Sequence, residues 1–169
     1  MRPAAAMPNN WIVVHKLALS KIDDGDFAAA ETLHRKALAL VEKQQPDSLN
    51  LARAQDHLAC LLFNKRPRDY AAAEPLFRKA LAIREDQQGP ESEHVARSLC
   101  NIAHCLKNKG DYAAAEPLLR RALAINEKHY PKAVLLEIKR VKTALLEIKR
   151  ARERAGAAGA VAPPAPKRQ

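Results

Sequence analysis

The chain has 169 residues, a formal net charge of +10 and only 4% aromatic residues. This length allows one ordinary domain or a short array of repeats, and the scarcity of aromatic residues among many alanines favours close-packed helices over sheets. Ten basic and three acidic residues fall in positions 132–169, so most of the excess charge lies in the C-terminal part. No apolar run is long enough for a signal-peptide core or a membrane span, which predicts a cytoplasmic protein that does not bind membranes.

A seventeen-residue block occurs three times, at residues 26–42, 69–85 and 111–127. The blocks start 43 and 42 residues apart, and the second and third agree at 14 of 17 positions. A period of this size indicates stacked units, none of which can bury its apolar face alone. The repeats therefore predict an all-α helical solenoid, an architecture whose usual task is binding.

The units are predicted at residues 9–45, 46–88 and 89–130, after a disordered N-terminus at residues 1–8. Each unit reads as two antiparallel helices. In the third unit, apolar residues from Val95 to Leu106 recur at helical spacing, Gly110 ends the first helix, and Asp111 caps the second. Polar, proline and glycine residues at 45–48 and 88–92 separate the units.

Two features of the second unit and one of the third depart from a simple hairpin. The turn at residues 66–68 is two residues longer than its counterparts and is expected to project from the array. Pro75 and Pro117 stand within the second helices, where proline removes a backbone donor. They predict either a slight bend or helices that begin late.

Residues 131–155 are predicted to form one basic helix, followed by a disordered Ala/Pro tail at 156–169. The apolar residues of this helix, from Val134 to Ile148, follow one another at spacings that alternate between four and three residues. The helix either caps the array or mediates self-association through a coiled coil. Its lysines and arginines also raise the alternative of binding to nucleic acid or another acidic surface, although no aromatic residue after Tyr130 is available to stack on bases.

The repeats resemble tetratricopeptide repeats, in the long form found in kinesin light chains. The residues that carry the likeness are Asn101 to Ala103, residues 110–118, residues 121–125, and the Gly89–Pro90 pair between units. The resemblance covers roughly residues 10–130. It implies a right-handed solenoid of three helix hairpins with a C-terminal capping helix, in which the first helix of each hairpin lines a concave groove that holds an extended peptide.

The resemblance places the groove on equivalent positions of the three first helices. They are Ile12, His15, Lys16, Leu19 and Asp23 in the first unit, Arg53, Asp56, His57, Cys60, Phe63 and Asn64 in the second, and Arg97, Cys100, Asn101, His104, Lys107 and Asn108 in the third. Asn101 matches the asparagine with which the family grips the backbone of a bound peptide, whereas Lys16 and His57 replace it in the other units. Leu19 interrupts the set with which chaperone-binding members clamp a terminal carboxylate, so chaperone binding is not predicted.

Four of these groove residues are basic and two are acidic. Cations that face a concave surface favour negatively charged ligands. The sequence therefore predicts a non-catalytic adaptor for a protein or peptide partner, of acidic character. No phosphate-binding glycine loop, nucleophile elbow or acid–base pair indicates an enzyme.

Other residues that could carry chemistry are better explained by packing. Cys100 and His104, one helical turn apart, could form a zinc site with Cys60 and His57, but paired Cys-x-x-Cys spacing is missing, and no metal or cofactor is predicted. Three cysteines, an odd number, fit a reducing compartment better than a disulfide framework. Three further expectations concern burial: Cys105 in an apolar interface, Trp11 as a core anchor, and His34 as a partly exposed residue.

Overall fold

The computed structural model describes residues 10–129 and 135–159, and within them it contains seven helices and no strand. The helices are α1 (Asn10–Asp23), α2 (Phe27–Gln44), α3 (Leu49–Asn64), α4 (Tyr70–Gln88), α5 (Glu93–Asn108), α6 (Tyr112–His129) and α7 (Leu135–Gly159). Each helix packs mainly on the helices before and after it in the chain. This is the open stack that a solenoid requires, and it confirms the predicted all-α class.

The first residue of each repeated block is an aspartate that starts a helix. One side-chain oxygen of Asp26, Asp69 and Asp111 accepts a hydrogen bond from the backbone N–H three residues later, at 3.0, 2.9 and 3.0 Å respectively. Each bond satisfies a donor that the helix leaves unpaired. The turns before Asp26 and Asp111 also contain glycines with φ of 78° and 84°, a left-handed conformation that side chains disfavour.

Small residues hold the helices close together. Ala18, Ala59 and Ala103 occupy equivalent places on α1, α3 and α5, and all three are fully buried. Three alanines on the second helices, Ala30, Ala73 and Ala115, are buried as completely. Because alanine adds only a methyl group to the backbone, the helices can approach closely while Phe77, Leu99 and other large side chains fill the space between them.

The prolines lie inside helices rather than before them. The second helices begin at Tyr70 and Tyr112, so Pro75 and Pro117 both follow the first helical turn. The alternative prediction, that the second helices begin late, is therefore wrong. The longer turn of the second unit spans residues 65–69, and its Arg66, Pro67 and Arg68 are exposed.

Helix α7 takes the place of the first helix of a fourth unit. A glutamate on each second helix pairs with a basic residue near the end of the next helix: Glu31 with Lys65 at 2.8 Å, Glu74 with Lys109 at 2.9 Å, and Glu116 with Arg152. Three apolar residues of α7, Val141, Ala144 and Ile148, are buried in the same core cluster as the third unit. The helix therefore caps the array.

The described part of α7 is longer than predicted. It reaches Gly159, past the expected end at residue 155. Ala157 and Ala158 favour this extension, because alanine has the highest helix propensity, although Gly156 and Gly159 do not. The remainder of the predicted tail, residues 160–169, and the predicted disordered N-terminus, residues 1–8, lie outside the described residues. None of the helices that the structure describes is both long and apolar enough to cross a bilayer.

Candidate peptide-binding groove

The candidate site is the surface formed by the exposed sides of α1, α3 and α5, which we call the groove. The residues predicted to line the groove differ in their exposure. Exposed are Lys16, Leu19, Asp23, Arg53, Cys60, Asn64, Arg97 and Asn108; half-buried are Ile12, His15, Asp56, His57, Phe63, Asn101, His104 and Lys107; Cys100 is buried. Cys100 is only 1% exposed because it belongs to the hydrophobic core cluster, so its assignment to the groove lining is corrected.

A buried ion pair lies beneath the middle of the groove. The guanidinium of Arg84, on α4, donates a hydrogen bond to the Asp56 carboxylate and another to Ser98 Oγ at 2.6 Å. Burial raises the pKa of Asp56 despite the neighbouring Arg84, and its other carboxylate oxygen is buried without a hydrogen bond to any described residue. Asp56 therefore offers little net negative charge to a ligand in the groove.

Sequence reasoning missed Arg84, although a signal was present. It occupies the position held by Val41 in the first unit and Asn126 in the third, and all three side chains are buried. A charged residue at a position that is otherwise apolar or neutral indicates a buried partner. The partners, Asp56 and Ser98, belong to α3 and α5, so Arg84 connects three helices.

A cavity of about 260 Å³ adjoins this ion pair, and it is basic in character. It is lined by Leu49, Asn50, Arg53, Arg84, Gln88 and His94. Arg53 is exposed and forms no ion pair with any described residue. Because no acidic side chain is among these lining residues, a ligand carboxylate could enter the cavity without meeting like charge.

The other basic groove residues differ in how far they are neutralised. Lys107 Nζ pairs with Glu147 of α7 at 2.7 Å, and Arg97 pairs with Glu93 one turn earlier on α5 at 2.9 Å. Both sides of the Arg97 pair are partly exposed, so this pair is weak and water can compete for it. Lys16 is exposed and has no ion partner within the described ranges.

Two of the asparagines predicted to line the groove donate hydrogen bonds within their own helices. The amide of Asn64 donates to the carbonyl oxygen of Cys60 at 2.8 Å, and that of Asn108 donates to the carbonyl of His104 at 2.7 Å. Asn101 is half-buried on α5. Of the three, Asn101 is the one whose position matches the peptide-gripping asparagine of the resembled family.

Three histidines meet at the junction of α1, α2 and α3, a cluster that sequence reasoning missed. The ring centroids of His15 and His57 are 4.0 Å apart, and those of His15 and His34 are 5.2 Å apart. His34 is only 2% exposed, so the expectation of partial exposure was wrong. Its position equals that of Phe77 and Leu119, both of which are buried, and this equivalence was the available signal.

The histidine cluster disfavours protonation. Burial, followed by the charge of His15, lowers the pKa of His34 to about 4. Burial is also the main cause that lowers the pKa of His57 to about 4, with contributions from His15, His34, Arg53 and Arg84. The cluster is therefore neutral at physiological pH and packs as a set of aromatic rings.

The cysteines and the predicted core tryptophan are structural in character. Cys105 is buried in the core cluster and Trp11 in a smaller cluster at the N-terminal end, as expected. Cys60 is exposed, but desolvation, reinforced by Asp56, raises the pKa of its thiol to about 11. Within residues 10–129 and 135–159, no group of three or more His, Cys, Asp or Glu side chains is placed to hold a metal ion.

Stacked hairpins with a shared core and a lined groove define the class of α-helical repeat proteins. Within that class, a sequence model of the tetratricopeptide repeat matches residues 12–86 and 66–128. The chain belongs to the tetratricopeptide repeat family. A search of curated protein sequences found no match.

Solved structures share the fold at low sequence identity. BtubC (BKLC) from P. vanneervenii superposes with a TM-score of 0.79 at 21% identity, over 99% of this chain and 72% of its own. The repeats of a putative kinesin light chain from Podosopora anserina give 0.66 at 20%, over 96% and 82% of the two chains. The type III secretion chaperone SycD from Yersinia enterocolitica, in complex with a peptide of the translocator YopD, gives 0.64 at 19%, over 86% and 97%.

Proposed function

We propose that this protein is a non-catalytic adaptor that binds an extended, acidic segment of another protein in its groove. Its membership of the tetratricopeptide repeat family supports a role in protein interaction. The similar fold of SycD, which was solved with a peptide of its translocator, supports peptide binding in particular. Fold likeness does not identify the ligand, so the argument for its chemistry rests on the residues of this chain.

The basic cavity beside Arg53 carries the acidic part of the proposal. Arg53 has no ion partner among the described residues, and Arg84, which also lines the cavity, already holds Asp56 with its guanidinium. Lys16 and Arg97 lie on the neighbouring first helices and extend the positive surface in both directions. A peptide laid across α1, α3 and α5 would therefore place one carboxylate near Arg53 and others near Lys16 and Arg97.

Asn101 would hold the backbone of the same peptide. It is half-buried on α5, between Arg97 and His104 along the helix. An amide at this position can both donate to and accept from a peptide unit, independently of the ligand sequence. Acidic side chains would then provide selectivity, and Asn101 would provide affinity that is indifferent to sequence.

The alternative is that α7 binds nucleic acid or another acidic surface. Residues 139–156 contain seven basic and two acidic residues. However, Lys142 and Arg152 are paired with Glu127 and Glu116 of α6, and Lys149 pairs with Glu153. Since these pairs neutralise part of the basic surface and help to dock the cap, we favour the groove. We also propose a cytoplasmic location, on the basis of the cysteine pattern.

Peptide selection followed by charge reversal tests the proposal. Random peptides displayed on phage would be selected on the intact protein, and affinities of the selected sequences measured by fluorescence anisotropy at two salt concentrations. We expect acidic sequences, whose affinity falls about tenfold or more in Arg53→Glu, because an attractive charge becomes repulsive. Lys36→Glu is the matched control, since Lys36 is exposed on α2 and makes the same charge change away from the groove.

Two results would contradict the proposal. Selection of basic or purely apolar peptides would remove the acidic preference, while leaving peptide binding itself intact. An equal loss of affinity in Arg53→Glu and Lys36→Glu would mean that only the overall charge matters and that the groove is not the site.

A further inference from the structure

The two ends of the array present most of its uncovered apolar surface. The large hydrophobic side chains that are exposed in the described residues are Val13, Leu17, Leu19, Phe27 and Leu146. The first four belong to α1 and the start of α2, and the last belongs to α7. Apart from Phe27 at the start of α2, helices α2 to α6 contribute no exposed large hydrophobic residue. These residues are therefore concentrated at the two ends of the array.

Val13 and Leu17 are exposed at positions whose counterparts in α3 are covered. Aligning the buried alanines Ala18 and Ala59 places Val13 opposite Ala54 and Leu17 opposite Leu58. In α3 these positions are 4% and 1% exposed, whereas Val13 is 64% and Leu17 is 50% exposed. The α1 face thus has the side-chain pattern of an internal repeat interface, without a partner among the described residues.

Helix α7 presents an apolar residue within a basic surface at the other end. Leu146 is 47% exposed on the side of α7 that faces away from the buried Val141, Ala144 and Ile148. Lys139 and Arg150, two turns before and one turn after Leu146, lie on the same side. Both are exposed and neither forms an ion pair with a described residue.

The α1 end carries the opposite charge. Asp23 and Asp26 flank the turn that follows α1, and neither has an ion partner within the described ranges. Asp24, in the same turn, is neutralised by Lys21 at 2.9 Å. The α1 end therefore combines an apolar stripe with the exposed carboxylates of Asp23 and Asp26, one oxygen of Asp26 being used to cap α2. At the α7 end a leucine lies between two cations that form no ion pair with a described residue.

We infer that copies of this protein associate head to tail, with the Val13–Leu17 face of α1 on the Leu146 face of α7 in a second copy. The contact buries apolar surface on both partners, and Asp23 and Asp26 approach Lys139 and Arg150. Because the two contact surfaces differ, the association is heterologous and leaves one unused end on each terminal copy. It differs from a coiled coil, in which α7 would meet α7.

A complementation experiment with the full chain distinguishes these arrangements. Leu17→Glu removes the α1 surface and Leu146→Glu removes the α7 surface; both leucines are about half exposed, so neither substitution opens the core. Molar mass is measured by sedimentation velocity over a wide concentration range, after circular dichroism has verified that each variant is folded. Leu19→Glu is the matched control, because Leu19 is 42% exposed on the same helix but belongs to the groove lining.

We expect the unmodified protein and Leu19→Glu to grow in mass with concentration beyond a dimer, and to dissociate as salt is raised. Each of the other two variants alone should remain monomeric. Their equimolar mixture should form a one-to-one dimer, since each supplies the surface that the other lacks.

The proposal is overturned by a protein that stays monomeric at every concentration, which would mean that another segment or partner covers these faces. It is also overturned if Leu17→Glu self-associates as well as the unmodified protein, the result expected of an α7 coiled coil. A mixture of the two variants that remains monomeric overturns it as well.

Discussion

Acidification from about pH 7.5 to about pH 5 should destabilise the protein through the histidine cluster. The folded state holds the pKa of His34 and of His57 at about 4. In the unfolded chain both return to an ordinary value near 6.5. Between these two values the unfolded state binds more protons than the folded state, so stability falls as pH is lowered from about 6.5 towards 4.

The magnitude follows from the two pKa values. At pH 5 each histidine is almost fully protonated when unfolded and largely neutral when folded, which costs about 2 kcal/mol per residue. Because His57 is only half-buried and water screens part of its charge, we expect a combined loss of about 2–3 kcal/mol. For a chain of this size that loss lowers Tm by roughly 5–10 °C.

The assay is urea unfolding followed by circular dichroism at the two pH values. His34→Phe should lose more than half of the pH-dependent destabilisation, because phenylalanine cannot be protonated and Phe77 already fills the equivalent position. The measurement stays at or above pH 5 so that paired carboxylates such as Glu31, whose pKa Lys65 lowers, remain ionised.

The reasoning is refuted if the unmodified protein has the same free energy of unfolding at both pH values. It is equally refuted if His34→Phe shows the full pH-dependent loss, since the buried rings would then not be its source.

Three further predictions concern stability and reactivity. Arg84→Met should destabilise the protein by about 3 kcal/mol in urea unfolding, because it leaves the Asp56 carboxylate buried without its cation. Adding Asp56→Asn to the same chain should restore part of that loss, and no recovery would contradict the pairing. Cys60 should react with iodoacetamide at neutral pH far more slowly than free cysteine, since its pKa of about 11 leaves little thiolate. The labelling is followed by mass spectrometry, and rapid labelling would disprove this prediction. Gly110→Ala should lower the free energy of unfolding by about 1 kcal/mol, because its φ of 84° strains any side chain, and an unchanged or increased stability would show that the turn relaxes.

The elements that depend on local pattern were predictable from the sequence. Asp69 and Asp111 start helices because a short acceptor before an apolar helix is a local signal, and it recurs at the same place in each block. Ala59 and Ala103 mark the closest helix approaches for the same reason, since the alanines recur at equivalent positions. Three copies of one pattern reinforce each other, which a single helix cannot do.

The features that depend on contacts between units were not predictable. His34 reads as a polar residue until its position is equated with Phe77, and its burial then requires the rings of His15 and His57 from two other helices. The role of α7 stayed open because a spacing of four and three suits both a cap and a coiled coil. The Glu116–Arg152 pair, which repeats the pairs of the preceding units, distinguishes the two only once the helices are placed.

The groove was assigned by resemblance, and the structure adds detail that position alone cannot give. Periodicity cannot show that Arg84 neutralises Asp56 from below, or that Glu147 of α7 takes Lys107. These contacts make Lys16 and Arg53 the basic groove residues without an ion partner in the described part of the chain. The acidic preference that we propose therefore rests on fewer residues than the sequence indicated.

The most direct test of the central claim is to locate a bound acidic peptide by NMR. A labelled sample is titrated with a selected acidic peptide, and the backbone amide shifts are mapped onto the helices. We expect the perturbations to concentrate on the exposed side of α1, α3 and α5, around Lys16, Arg53 and Arg97. Perturbations confined to residues 139–156 of α7 would contradict the account and move the binding function to the basic cap.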